Sequence, residues 1–136
     1  MIFLWMCLCT SVIFGQNYKF GKVSKEELEE KVTELDSTAN ASYLLKNKKV
    51  YFEYDGSLGW SLITDVHERI KIYSKDGEDY AEKVIRLYNN SSKSEKVSSL
   101  KAYTYNLEGS KIVKTKLSKK QVFKEKVSDN WEMQKF

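Results

Sequence analysis

The chain has no proline, two cysteines and one histidine among its 136 residues. Both cysteines, Cys7 and Cys9, lie within residues 1–15, so a mature chain without that segment has neither a disulfide nor a thiol nucleophile. A zinc site needs three or four His, Cys or carboxylate ligands, and a lone His67 without cysteine argues against one. These absences exclude cysteine-based catalysis in the mature chain and disfavour a metal site or a metal cofactor.

Charge is absent from residues 1–15, MIFLWMCLCTSVIFG. The segment is typical of the apolar core of a secretory signal, with Gly15 before Gln16 as the cleavage point. It is shorter than the roughly 20 apolar residues of a bilayer span, so we expect no membrane span after cleavage. No Lys or Arg follows Met1, which leaves open a start further upstream or an uncleaved anchor. We therefore predict an exported chain with residues 1–15 as signal peptide and 16–136 as one domain.

Arginine is also scarce: 21 of the 23 basic residues are lysines. From Lys93 onward the chain has eleven lysines and five acidic residues, which makes the C-terminal third basic. Base-edge recognition favours the arginine fork, whereas lysines at alternate strand positions are typical of a solvated face or a guarded sheet edge. The composition predicts no nucleic-acid partner.

Val23-Ser-Lys-Glu-Glu-Leu28 has the pattern of a helix start. Ser24 can cap the helix, Glu27 can reach back to it, and Val23 can pack on Leu28, which together make a capping box with a hydrophobic staple. The pattern predicts one helix over about residues 25–35. Its apolar stripe comprises Leu28, Val32 and Leu35.

After Tyr43 the apolar residues alternate with a period of two, which indicates strands. Asp55 to Gly59 predicts a turn, Asp76-Gly77 a hairpin turn, and Glu108-Gly109 the turn of a second hairpin. Residues 118–127 are ambiguous, because Ser118 and Gln121 resemble a cap while Val122 and Phe123 continue a strand pattern. Strands that follow one another through short turns predict a mainly β fold: an antiparallel sheet or sandwich with one N-terminal helix.

His67 lies in the charged stretch TDVHERIKIYSKDG. Unbroken alternation puts His67 on the polar face with Asp65 and Arg69, and puts Glu68 on the apolar face with Trp60, where a carboxylate needs a partner. A β-bulge at His67-Glu68 would relieve this conflict, and bulges often lie near functional sites. A surface strand residue is nevertheless the favoured interpretation of His67 over a catalytic one.

The sequence gives little support for calcium binding or glycoside hydrolysis and more for an aromatic binding face. The acids of Asp76-Gly-Glu-Asp79 do not follow the alternating ligand pattern of a calcium loop. A carboxylate pair for glycoside hydrolysis is not indicated by any pattern, although strands can bring two acids together. Nine tyrosines and Trp60 on a β scaffold suit a sugar-binding or protein-binding face. The candidate binding residues are His67, Glu68, Arg69, Trp60, Tyr103 and Tyr105.

Four segments of the chain together resemble one family. They are Asn17-Tyr-Lys-Phe-Gly-Lys-Val-Ser-Lys-Glu-Glu-Leu28, Asp36-Ser-Thr-Ala-Asn-Ala41, Val66-His-Glu-Arg-Ile-Lys-Ile72 with Lys75-Asp-Gly77, and Lys96-Val-Ser-Ser-Leu-Lys-Ala-Tyr-Thr-Tyr-Asn-Leu107. The family is the domain of unknown function that precedes the transglutaminase-like core in exported proteins of Gram-negative bacteria. The resemblance covers residues 17–136.

The resemblance implies a β-rich accessory domain followed by a papain-like core with a Cys, His and Asp triad. It further implies that this chain stops before that core and before the final strands of its own domain, so His67 is not the triad histidine. We expect a non-catalytic accessory domain in the periplasm or at the cell surface, which positions a transglutaminase-like module or its cell-wall or protein substrate. The alternative is a stand-alone module that binds polysaccharide or a partner protein through Tyr and Trp faces.

Overall fold

The computed structural model describes residues 18–90, 92 and 94–136. The predicted signal segment, its Gly15-Gln16 cleavage point and both cysteines lie outside the described residues. Within the described part the fold is mainly β and antiparallel with one short α-helix, which confirms the predicted fold class. None of the helices in this part has the length and apolar character needed to cross a membrane.

The strands are divided among three small sheets. Strands β1 and β2 form a two-stranded sheet, β3, β7 and β6 form a three-stranded sheet in that order, and β4 and β5 form another two-stranded sheet. In chain order the elements are α1 (Lys25–Glu29), β1 (Ala41–Asp55), β2 (Gly59–Ile72), a 3₁₀ helix (Lys75–Ala81), β3 (Val84–Tyr88), β4 (Tyr103–Glu108), β5 (Lys111–Lys116), a second 3₁₀ helix (Lys119–Gln121), β6 (Phe123–Ser128) and β7 (Trp131–Lys135).

The turn between β1 and β2 is fixed by Asp55. Its Oδ1 accepts hydrogen bonds from the backbone N–H groups of Ser57 at 2.8 Å and Leu58 at 2.9 Å. These bonds favour the carboxylate and lower the pKa of Asp55 from its ordinary value of 3.8. Gly59 closes the turn with φ of +75°, a conformation that glycine adopts without steric cost. The predicted turn is confirmed, and it joins the two longest strands.

The predicted helix over residues 25–35 is wrong in its length, because α1 ends at Glu29. Its start is as predicted: Ser24 Oγ accepts from the Glu27 N–H at 3.1 Å. Its early end has a tertiary cause. Lys71 Nζ, on β2, donates to the carbonyl oxygens of Glu27 at 2.6 Å and Leu28 at 2.9 Å, the two carbonyls that a continuing helix would pair with residues 31 and 32. Leu35 therefore leaves the helical stripe and is exposed.

The Asp76-Gly77 hairpin turn is also wrong. These residues lie in the first 3₁₀ helix, and β3 pairs with β7 instead of returning against β2. Gly77 is buried against the backbone of Asn40, and a Cβ atom there would overlap the Asn40 carbonyl. The glycine is therefore needed for close packing and not for a two-residue turn.

The second hairpin is confirmed as β4 and β5. Both interpretations of residues 118–127 are realised in succession: Ser118 and Gln121 form a capping box around the second 3₁₀ helix, and Phe123 then begins β6. Strand β7 has no counterpart in the sequence prediction. Leu87, 7% exposed, is the only buried apolar side chain among the residues described, and it lies in the three-stranded sheet.

Candidate interaction face

The predicted site residues do not converge on one site. His67 and Arg69 share one face of β2, Glu68 lies on the opposite face of the same strand, and Trp60 lies near the tip of the β1–β2 hairpin. The last two members, Tyr103 and Tyr105, lie on β4. Each group makes a different set of contacts.

Arg69 anchors the N-terminal segment to β2. Its guanidinium donates to both carboxylate oxygens of Glu27, at 3.2 and 2.9 Å, and to the carbonyl oxygens of Lys19 at 2.8 Å and Lys22 at 2.5 Å. The ring of Tyr18 lies 4.9 Å from the guanidinium carbon. Four hydrogen bonds in this fork geometry use nearly all the donors of the side chain. Arg69 is thus a structural clamp, and its charge is already neutralised by Glu27.

Lys71 continues this clamp along β2 by binding the last carbonyls of α1. Burial lowers the pKa of Lys71, and the nearby Glu30 and Glu27 carboxylates partly oppose that shift. An ammonium group at this position suits the negative end of a helix. The charged stretch that contains His67 therefore binds α1.

Glu68 has the partner that its position on the apolar face demands. Lys83 Nζ lies 2.9 Å from its Oε2, and Lys46 Nζ lies 4.0 Å from its Oε1. Burial opposes the charge of Lys83, but hydrogen bonds to the Tyr43 hydroxyl and to Glu68 outweigh it, so the pKa of Lys83 is raised. The strand has no bulge at His67-Glu68, and the ion pair with Lys83 satisfies Glu68 without one. The irregularity of this hairpin lies in β1, between Tyr43 and Leu45.

His67 packs in an aromatic cluster. Its imidazole meets the Phe20 ring edge-on at 5.5 Å between centroids, and Phe20 also contacts Tyr103 at 5.5 Å. Lys114 Nζ lies 3.8 Å from the centroid of Tyr103 and 5.5 Å from that of Tyr105, a cation–π arrangement. The cluster joins the N-terminal segment to both two-stranded sheets. It gives His67, Tyr103 and Tyr105 a packing role.

A cleft of about 930 Å³ follows α1 and includes Tyr18, Glu26, Glu30 and Leu44 in its lining. Its cationic lining residues are Lys19, Lys22 and Arg69, and the donors of Arg69 are directed to Glu27 and to backbone carbonyls. An anionic ligand would have to break those bonds to reach Arg69, and it would face the carboxylates of Glu26, Glu27, Glu30 and Glu34. The cleft therefore has more carboxylates than cations in its lining, and it does not resemble a binding site with convergent polar groups.

Trp60 belongs to a large apolar surface that sequence reasoning did not assemble. Register pairing places Phe52 opposite Leu62 and Tyr54 opposite Trp60, all on one face of the hairpin. The six apolar side chains on this face are between 50% and 72% exposed. We call this surface the hairpin face. Its apolar members are Val50, Phe52, Tyr54, Trp60, Leu62 and Val66, and Lys48 and Thr64 complete the pattern.

The opposite side of the same strands is mostly polar, although Ile63 and Leu45 lie on it. The Tyr51 hydroxyl donates to Asp65 at 3.3 Å, and Lys49 lies 4.9 Å from the Tyr51 ring. The hairpin is therefore amphipathic, but its apolar side has no covering layer among the described residues. The signal for this surface was present in the alternation of both strands. What alternation does not reveal is whether another element covers the apolar side.

Among the residues that the structure describes, no three His, Cys, Asp or Glu side chains are grouped so that they could hold a metal ion. Comparisons with protein-family models, with curated proteins and with solved structures found no match to this chain.

Proposed function

We propose that this chain is a non-catalytic accessory module that docks a protein domain through the hairpin face. The carrying observation is the exposure of six apolar side chains on one side of the β1–β2 hairpin. Contiguous exposed apolar patches of this kind mark interaction sites, and a two-stranded sheet needs packing on its apolar face for stability. The candidate binding residues Arg69, Glu68 and His67 instead make contacts within the domain.

The chemistry of the hairpin face favours a polypeptide occupant. Aromatic side chains are enriched at the centre of protein interfaces, where Phe52, Tyr54 and Trp60 would lie. Val50, Leu62 and Val66 surround them with aliphatic surface, which packs well against an apolar sheet or helix face. A folded protein domain with an apolar surface is therefore the favoured partner.

The proposed biological context comes from the sequence. The uncharged residues 1–15 support export, and the resemblance supports a transglutaminase-like module as the docked domain, at the periplasm or cell surface of a Gram-negative bacterium. In this proposal the module supplies the chemistry. The present chain positions the module or its cell-wall or protein substrate.

A second candidate function is glycan binding. Tyr54 and Trp60 form a tilted pair with 5.2 Å between ring centroids, and Trp60 is 72% exposed, so its ring is free to stack on a sugar. Sugars also require hydrogen bonds, and the hairpin face supplies a hydroxyl from Thr64 and an amine from Lys48. We therefore rank polysaccharide below a protein surface.

Isothermal titration of the full chain with a purified papain-like transglutaminase module tests the proposal. We expect saturable binding that falls at least about 30-fold in Phe52→Asp, because a charge in the centre of an interface removes a hot spot and cannot be desolvated. Ser61→Asp is the matched control, since Ser61 faces the polar side of the same hairpin. Binding that Phe52→Asp leaves intact would refute docking through this face.

Two further measurements complete the test. The full chain is expected to show no amidase, protease or acyl-transfer turnover, and turnover that disappears in His67→Ala would overturn the non-catalytic proposal. Titration with soluble cell-wall glycan fragments, followed by the fluorescence difference between the full chain and Trp60→Phe, distinguishes the second candidate. Saturation by glycan without response to the protein module would favour polysaccharide binding.

A further inference from the structure

We propose that, in the absence of another domain, a second copy of this chain occupies the hairpin face and forms a symmetric dimer. This inference rests on the proposed function, because it assumes that the hairpin face binds polypeptide. It adds that a second copy of the chain binds the hairpin face before any other domain does. Three features of the hairpin face favour this occupant: its area, the order of side-chain sizes along it, and the charges at its two ends.

The exposed area is large enough for a dimer. The six apolar side chains are 50% to 72% exposed, so they present on the order of 700 Å² of surface. A standard protein interface buries about 800 Å² on each partner. Two hairpin faces in contact would thus fall within the size class of specific complexes, whereas the largest apolar patch of a typical monomer is about 300–600 Å².

The order of side chains is self-complementary. We consider a twofold axis that lies in the interface plane and crosses both strands at the Phe52–Leu62 pair, so that the two hairpins point in opposite directions. Successive pairs on one face are separated by about 6.7 Å along the strands. This operation places Tyr54 of one copy over Val50 of the other, and Trp60 over Thr64.

Each of these contacts sets a large ring against a small side chain. Such an arrangement lets the rings fill the space above the smaller residues at the usual sheet-to-sheet distance of about 10 Å. A twofold axis along the strands would instead set Trp60 over Tyr54 and leave the Val50–Thr64 rows facing each other across a gap. Complementarity of volume therefore selects the antiparallel arrangement.

The ends of the hairpin face match under the same operation. Val66 of one copy lies over Leu58 of the other, and both side chains are at least 60% exposed in the single chain. Lys48 of one copy lies over the turn of the other, whose charged residue is Asp55. Hydrogen bonds from the turn backbone hold the pKa of that carboxyl below its ordinary value, so the turn is anionic at neutral pH. Because Asp55 follows Tyr54 and belongs to the opposite side of the strand, the attraction at each end of the dimer acts between the Lys48 ammonium and an anionic turn and is not a direct ion pair.

Sedimentation equilibrium of the full chain across about 1–500 µM tests this inference. We expect a monomer–dimer equilibrium with a dissociation constant of about 1–100 µM, since the area lies at the lower edge of the standard class. Phe52→Asp should weaken the dimer at least about 100-fold, because each dimer carries the substitution twice. Ser61→Asp, on the polar side, should leave the dimer unchanged.

A second pair of variants tests the arrangement itself. Lys48→Asp should weaken the dimer about 5-fold to 10-fold, because it sets two like charges at each end. Lys49→Asp changes the neighbouring residue on the opposite face, where it pairs with Asp65, and should have no such effect on the dimer. Both positions are exposed, and urea denaturation of the two variants measures how each charge reversal affects the fold. Equal effects of the two variants would overturn the antiparallel dimer.

The outcomes separate this inference from the proposed function. The transglutaminase-like module is expected to dissociate the dimer and form a one-to-one complex, because both occupants use the hairpin face. A chain that stays monomeric at 500 µM, yet binds the module in a manner sensitive to Phe52→Asp, would refute the dimer and support the docking function. A dimer that persists in Phe52→Asp would refute the inference outright.

Discussion

At the scale of single residues, Gly77 shows how one atom can decide local structure. The 3₁₀ helix passes so close to Asn40 that the Asn40 carbonyl accepts hydrogen bonds from the N–H groups of Tyr73 at 2.9 Å and Ser74 at 3.3 Å. A Cβ atom at position 77 would overlap that carbonyl and lie 3.3 Å from the Ala41 Cβ. The contact fixes the start of β1 against the end of β2.

We expect Gly77→Ala to reduce the free energy of unfolding by about 1–3 kcal/mol, because backbone atoms must move to admit the methyl group. Gly56→Ala is the matched control, since a Cβ there meets nothing within 4 Å. Urea denaturation of both variants measures the difference. Equal stabilities would show that the contact at Asn40 is not a close one.

The sequence indicated that a glycine is needed at Asp76-Gly77, but the predicted cause, a hairpin turn, is wrong. The actual cause is close packing against Asn40. Asp-Gly is a strong local signal for a two-residue hairpin turn, and nothing within a few residues distinguishes that use from close packing. The deciding neighbour, Asn40, lies far away in the chain. The prediction for Glu68 is confirmed. A carboxylate on an apolar face needs a partner, and Lys83 Nζ lies 2.9 Å from its Oε2.

At the scale of elements, α1 depends on β2 more than on its own sequence. The helix has five residues, Lys25–Glu29, which is far too short to be stable alone. Its start could be predicted because the Ser24 cap is a local signal. Its end could not, because Lys71 binds the final carbonyls from another part of the chain.

We expect Arg69→Met to release α1 and to lower the free energy of unfolding by about 2–3 kcal/mol, since it leaves the half-buried Glu27 carboxylate unpaired and two carbonyls without a donor. Arg86→Met is the control at the only other arginine, an exposed residue on β3. The imidazole proton resonances of His67 report the same event independently, because Phe20 contacts that ring edge-on.

The histidine resonances are easily followed, since the chain has one histidine. Loss of the Phe20 ring-current shift should accompany Arg69→Met and not Arg86→Met. Retention of that shift in Arg69→Met, together with unchanged stability, would contradict the clamp.

At the scale of the whole molecule, the strands could be predicted better than their partners. Alternation marked both hairpins, because hairpin partners are adjacent in sequence. It gave no indication that β3 pairs with β7, which lies more than forty residues further on. Nor did it reveal the hairpin face, because alternation in one strand says which residues share a side and not whether another layer covers them.

Acid should destabilise the whole domain through its turn carboxylates. Hydrogen bonds from Thr38 lower the pKa of Asp36, and those from Ser57 and Leu58 lower that of Asp55. A carboxyl whose pKa is lower in the folded state stabilises the fold above its ordinary value of 3.8, and this contribution is lost as the pH falls through the folded-state pKa.

We therefore expect the free energy of unfolding to fall as the pH drops below 3.8, measured by urea denaturation at a series of pH values. The double variant Asp36→Ala, Asp55→Ala should be less stable at neutral pH and should lose less on acidification. Ser37→Ala, a neutral neighbour, should keep the full acid slope. A double variant with an unchanged slope would exclude these carboxylates as its source.

The turn at Asp55 also sets an order of events during folding. Strands β1 and β2 pair outward from that turn, so each new rung closes only a small additional loop, and hairpins form on the microsecond scale. Strand β3 must wait for β7, whose pairing closes residues 89–130, and non-local closure of this kind is slow. A growing chain thus forms the β1–β2 hairpin first, before the three-stranded sheet is complete. Because this hairpin carries the exposed apolar hairpin face, we expect a chaperone to bind there during synthesis.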